Sequence, residues 1–157
     1  MALAWRIGAD TPDYTAEDLS GEGARISGGR WNRVGTSMIY TSGSIALACL
    51  ETLVHLSGPA GLPLNRYLVR VDIPPATWRK RERFDPGAHV GWEANPAGAV
   101  SLNWGTGWAQ GQSQLVAVVP SVVVPEELNV LINPQHPDMA SLTITKVRLW
   151  TYDRRLA

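Results

Sequence analysis

Three residue types that could do chemistry on an anionic ligand fall within one short stretch, Gly28 to Glu51 (GGRWNRVGTSMIYTSGSIALACLE). Gly28 and Gly29 permit a tight turn with exposed N–H groups, and Arg30 adds a planar fork of donors matched to phosphate or carboxylate. Tyr40 supplies a flat aromatic face on which a ring can stack. Glu51 supplies a carboxylate able to accept a hydroxyl hydrogen bond or to stabilise developing positive charge. Each residue also has a plainer reading: Arg30 as a surface arginine after a turn, Tyr40 as core, and Glu51 as an exposed helical residue paired with His55 at i+4. Such a helical pair is worth only about 0.3 kcal/mol. Ser121, directly after Pro120, reads equally as an ordinary strand-end hydroxyl.

Other chemistries fit less well. His55, His89 and His136 are far apart and form no HxxxH pair, and no CxxC occurs, so no metal site is expected. There is no GxSxG elbow, and the single cysteine, Cys49, lies between Ala48 and Leu50, which suggests a buried, inert thiol. Neither a phosphate-binding Walker loop nor a complete GxGxxG fingerprint is present.

The elements that must position these residues follow from hydrophobic period and punctuation. Ala4 to Ile7 reads as a first strand, followed by a Gly-rich segment from Gly8 to Gly29 that is a long loop or holds a small helix. Ser37 to Thr41 is strand-like, and Ser42-Gly43-Ser44 offers hydroxyl caps for a helix running to about Ser57, where Gly58-Pro59 stops it. Ala46, Leu47, Leu50, Leu53 and Val54 share one wide face of that helix, with Ile45, Cys49 and Leu56 opposite, which predicts burial nearly all round. Glu51 then sits at the edge of the apolar stripe. Tyr67 to Ile73 alternates as a strand and ends at Pro74-Pro75. A charged, irregular excursion over 77–96 precedes a glycine-containing helix near 97–110. Strands are expected over 114–119, 122–124, 128–132 and 144–152. Trp104 and Trp108 are read as cleft wall or as core.

The 157 residues suit one domain, 1–157, of the α+β class with a mixed β core and a few helices. Fifteen glycines and eleven prolines make a helical bundle a poor fit, and seven tryptophans accompany a single phenylalanine. Lys and Arg number 14, as do Asp and Glu, so no general attraction to nucleic acid or to an anionic membrane is expected. With no signal-peptide pattern and no apolar run approaching the roughly 18 residues of a membrane span, a cytoplasmic location is expected.

Taken in chain order, GGRWN, IYTS, a helix reading ALACLE, then VVPS and LNVLINP resemble the RES domain, a family of bacterial toxins named for Arg, Glu and Ser. The resemblance covers almost the whole chain. It implies a fold like that of ADP-ribosyltransferase toxins, with NAD as substrate in a cleft, no other cofactor, and an Xre-type antitoxin as partner within a larger, homo-oligomeric complex. It assigns Arg30, Glu51 and Ser121 to the eponymous polar set and Tyr40 to the nicotinamide end, with Gly29 in the binding loop and Arg6 as a second cleft arginine. On that assignment Arg30 grips the pyrophosphate. Cleavage of the nicotinamide–ribose bond is the expected reaction, with water, inorganic phosphate or a protein side chain as the acceptor; the rival reading is a nonenzymatic module whose cleft captures a nucleotide or an antitoxin tail.

Overall fold

The computed structural model describes residues 2–56 and 60–156. Seven strands form one mixed sheet: β1 (Ala2–Ala9), β2 (Ile39–Ser42), β3 (Arg66–Ile73), β4 (Glu82–Arg83), β5 (Val116–Pro120), β6 (Leu128–Ile132) and β7 (Thr143–Trp150). Four helices accompany it, α1 (Glu22–Ser27), α2 (Ile45–Leu53), α3 (Pro75–Arg79) and α4 (Ala99–Gly111). The strand order is β4-β5-β6-β2-β1-β3-β7. All neighbours run antiparallel except β4 and β5, so the α+β reading with a mixed core holds.

Alternation along the central strands builds two cores. Val116, Val118, Val130 and Ile132 face one way and pack with Ala4, Ile39, Val71 and Ile73. Ala117, Val119 and Leu131 face the other way, against Trp31, Met38, Phe84, Trp92 and Trp108. Both faces of β5 are therefore covered, which is why it reads as an unbroken apolar run instead of an alternating one. Burying a side chain such as Leu131, fully inaccessible here, contributes about 2 kcal/mol. A third cluster, with Ile7, Ala48, Cys49, Leu68 and Tyr152, seats α2.

Three expectations need correction. Val122 to Val124 is not a strand: Ser121 Oγ accepts hydrogen bonds from the amides of Val123 (3.0 Å) and Val124 (3.1 Å). A side chain thus claims donors that a strand would use, and a β-branched run becomes a turn. Helix α2 is not buried nearly all round. Leu47, Ala48 and Cys49 are buried, whereas Leu50 and Val54 on its outer side are 38% and 57% exposed, because only one side packs on the sheet. It ends at Leu53, with Val54 as its C-cap, and the expected stop at Ser57 to Pro59 lies outside the described residues. The 77–96 excursion contains the end of α3, with Pro75 at its first turn, together with β4. Among the described residues no helix is long and apolar enough to cross a membrane.

Candidate active site

Strands β1 and β2 share only one ladder position, Trp5 opposite Ser42. Where they part, a cavity of about 390 Å³ opens, lined by residues 5–9 of β1, residues 40–42 of β2, and Ala48, Glu51, Thr52 and His55 from α2 and its end. Asn129, at the start of β6, and Arg66, at the start of β3, complete the wall used below.

Helix α2 starts cleanly because Ser44 Oγ accepts from Leu47 N at 3.1 Å, satisfying one of the donors that a helix start leaves open. That cap sets the phase that turns Glu51 toward the cavity. The carboxylate does not pair with His55, as its plainer reading would have it. Instead its Oε1 accepts from Ser121 Oγ at 2.6 Å and from Asn129 Nδ2 at 2.8 Å. Ser121 is fully buried and stands just beyond β5; its hydroxyl ties the turn after that strand to Glu51. Ser42 Oγ donates to Asn129 Oδ1 at 2.8 Å, extending the network across the β2–β6 pair. Asn129 did not stand out in the sequence, and Ser42 was read only as a helix-cap candidate, a role that Ser44 takes. The only signal was a polar residue at the head of the apolar LNVLINP strand.

Tyr40 is largely buried and lines the cavity, and its hydroxyl is fully used: it accepts from Trp31 N at 3.0 Å and donates to Asn32 Oδ1 at 2.5 Å. Burial pushes its phenol well above the ordinary range, so it stays neutral. Asn32 is itself inaccessible and donates to the carbonyls of Ala24, Arg33 and Thr36, which pins the GGRWN loop. Gly29 belongs to this packing: a Cβ there would stand 2.6 Å from the Tyr40 hydroxyl. Its absence of a side chain is what lets the tyrosine reach the loop, and Gly29 does not line the cavity.

The two expected arginines behave differently. Arg30 Nη1 donates to the carbonyls of Trp92 (3.0 Å) and Ala94 (2.7 Å), so part of its fork is committed to protein. Burial lowers its pKa, and the negative charge of Glu51 works against that. Arg30 does not line the cavity. Arg6 does, and no acceptor among the described residues bonds it; burial depresses its pKa, with Asp18 and Tyr14 opposing. Arg66, overlooked in the sequence, also lines the cavity and donates to Asn65 Oδ1 at 2.7 Å. Two cations against one carboxylate suit an anionic ligand that carries a sugar.

Trp104 and Trp108 do not line this cavity; they pack in the aromatic cluster with Trp31 and Phe84. Cys49 is buried, and burial raises its thiol pKa. Among the described residues no group of three or more His, Cys, Asp or Glu is placed to hold a metal ion.

Tyr40 and Glu51 thus line one cavity, Ser121 is bonded to Glu51 from its buried place beyond β5, and Arg30 stands outside the lining; a family model described as the RES domain matches residues 3–155. The chain belongs to the RES domain family. Its relatives include a protein of Sphingobium sp. (strain YBL2) named "Prs ADP-ribosylating toxin", 54% identical over 97% of this chain and 94% of that protein. Another is "Toxin Res" of Yersinia enterocolitica, 35% identical over 91% of this chain and 93% of its own length. Among solved structures, this RES domain is similar to a chain of the M. tuberculosis MbcT-MbcA toxin-antitoxin complex, with a TM-score of 0.60 at 19% identity, covering 94% of this chain and 84% of that one. At that identity the likeness speaks for the fold alone.

Proposed function

We propose that this chain is the toxin of a toxin–antitoxin pair and acts by breaking the nicotinamide–ribose bond of NAD. The observation that carries this reading is the Glu51 carboxylate, held by Ser121 and Asn129 at the wall of a cavity that also presents Arg6 and Arg66. The departing nicotinamide is already cationic and leaves as a neutral molecule, so departure needs no general acid. What the reaction needs is stabilisation of the oxocarbenium-like sugar left behind. A fixed carboxylate beside the ribose does this more strongly in the transition state than in the ground state. Tyr40 offers its ring face to the nicotinamide end. Arg6 and Arg66 hold the diphosphate, and Arg30, tethered to the 92–94 backbone, contributes positive potential rather than a full bidentate grip.

The acceptor separates two readings. Water or inorganic phosphate would make the chain an NAD-depleting enzyme. A protein side chain would make it an ADP-ribosyltransferase, and the name of the 54% identical Sphingobium protein favours this second reading. Glu51→Gln keeps the shape and loses the charge, and is expected to cut NAD turnover about 100-fold or more; a folded variant with parental turnover refutes the proposal. Incubation with NAD labelled in the adenylate half then divides the acceptors. Label carried into protein supports transfer, and label in small products, dependent on phosphate or not, supports depletion. Expression alone is expected to arrest growth, relieved by an Xre-type partner; equal growth in both cases removes the toxin reading.

A further inference from the structure

Glu51 has two carboxylate oxygens, and the protein treats them unequally. Oε1 takes both hydrogen bonds, from Ser121 and from Asn129, while Oε2 has no partner among the described residues. Asn129 is the member of this pair that lines the cavity. Its amide has one workable orientation, since turning Oδ1 toward Glu51 would set two acceptors against each other at 2.8 Å. Ser42, buried, reinforces that orientation by donating to Oδ1 at 2.8 Å. Both Ser42 and Asn129 lie on paired strands, opposite each other in the β2–β6 register, so the relay is set by sheet hydrogen bonds rather than by a loop.

We propose that Asn129, aligned by Ser42, is a positioning residue that anchors Oε1 of Glu51 and reserves Oε2 for the substrate ribose. The proposal rests on the reading of Glu51 given above and assigns each of its oxygens a task. A carboxylate fixed by one donor can still swing about its terminal torsion, which is broad for such groups. With donors from β6 and from the turn after β5, its plane is defined before substrate arrives, which is where preorganised electrostatics has its value.

The test uses the full chain with Asn129→Ala, Asn129→Asp and Ser42→Ala, beside Glu51→Gln. Asn129→Ala is expected to lower kcat for NAD about tenfold with KM changed by less than about twofold, as for loss of a hydrogen bond to a charged group. Ser42→Ala is expected to follow in the same direction, less strongly, and reads the relay if the Asn129 variants fold poorly. Asn129→Asp sets a like charge against Glu51, so the pair shares a proton and the acid limb of the kcat profile moves to higher pH by about one unit or more. Titration of the Glu51 side-chain carbon by NMR reads the same upward movement without turnover. If Glu51→Gln abolishes turnover while Asn129→Ala and Asn129→Asp keep the parental kcat, pH profile and Glu51 titration, the positioning role falls and the NAD reading stands. If Glu51→Gln itself retains turnover, the NAD reading falls, and an upward shift of the Glu51 titration in Asn129→Asp still upholds the anchoring of Oε1.

Discussion

The cavity and the aromatic cluster adjoin at Tyr40, and they use their buried groups in opposite ways. In the cluster the side chains satisfy one another. Trp31 stacks on Trp92 at 6.2 Å and meets Phe84 edge-on at 4.8 Å and Trp104 edge-on at 5.7 Å. The exception is Trp108 Nε1, buried there without an acceptor among the described residues and out of reach of any ligand in the cavity. In the cavity, by contrast, bonding capacity is left over where a ligand can reach it, on Oε2 of Glu51 and on the Arg6 guanidinium. The difference teaches that aromatic wealth alone does not mark a site. Surplus polar capacity on an open surface does.

If the cluster is scaffold and the cavity is chemistry, substitutions should divide between stability and turnover. The largest effect is expected at Gly105 of α4, where an added Cβ would fall 1.8 Å from the Trp31 carbonyl oxygen, a backbone atom with nowhere to go. Gly105→Ala should cost about 3 kcal/mol or more, with α4 pushed off the cluster, as read by denaturant midpoint. Its neighbour Gly107 has open space around the same position, so Gly107→Ala should instead raise the midpoint, with a gain in stability of about 0.5–1 kcal/mol. Equal responses at the two glycines would contradict the close approach of α4 to Trp31.

Tyr40 belongs to both regions and sharpens their boundary. Tyr40→Phe strands the Trp31 amide and Asn32 Oδ1, which is expected to cost about 1–3 kcal/mol and to reduce NAD turnover as well. Loss of stability with unchanged turnover would assign the tyrosine to the scaffold alone.

The smallest effect lies outside both regions, at Lys146, whose Nζ donates to Asp10 Oδ2 at 2.7 Å. That bond holds the Asp10 carboxyl below its ordinary range, with the Ala16 amide as the second cause. A carboxyl depressed on folding stabilises the protein above its unfolded value of about 3.9, and this contribution is lost as pH falls through the lowered folded value. Lys146→Met should therefore lower the melting temperature slightly at pH 6–7, converge on the parent in strong acid, and leave NAD turnover unchanged. A turnover defect would extend the functional region to that edge of the sheet.

How far the sequence carried differs between these regions for a physical reason. Glu51 was visible as a carboxylate beside an apolar helical stripe, and the strands near 67–73 and 144–152 announced themselves by alternation. The turn at 122–124 was misread because the Ser121 side chain, not the backbone, decides where two amides go. Asn129 was invisible because its meaning depends on a partner 78 residues earlier in the chain, brought near only by the β2–β6 pairing. Likewise, nothing local to Trp104 says that Phe84 and Trp31 will enclose it.

That pairing also sets a timetable. As the ribosome delivers the chain, Arg6, Arg30, Tyr40 and Glu51 emerge first, yet β2 has no inner neighbour until β6, residues 128–132, is made. Until then Glu51 lacks both donors to Oε1, because Ser121 and Asn129 have not been added. A chain ending before β5 would hold Arg6, Arg30, Glu51 and Arg66 without either donor to Oε1 of Glu51. If the chain acts on NAD as proposed, the carboxylate gains its two donors only in the last quarter of synthesis.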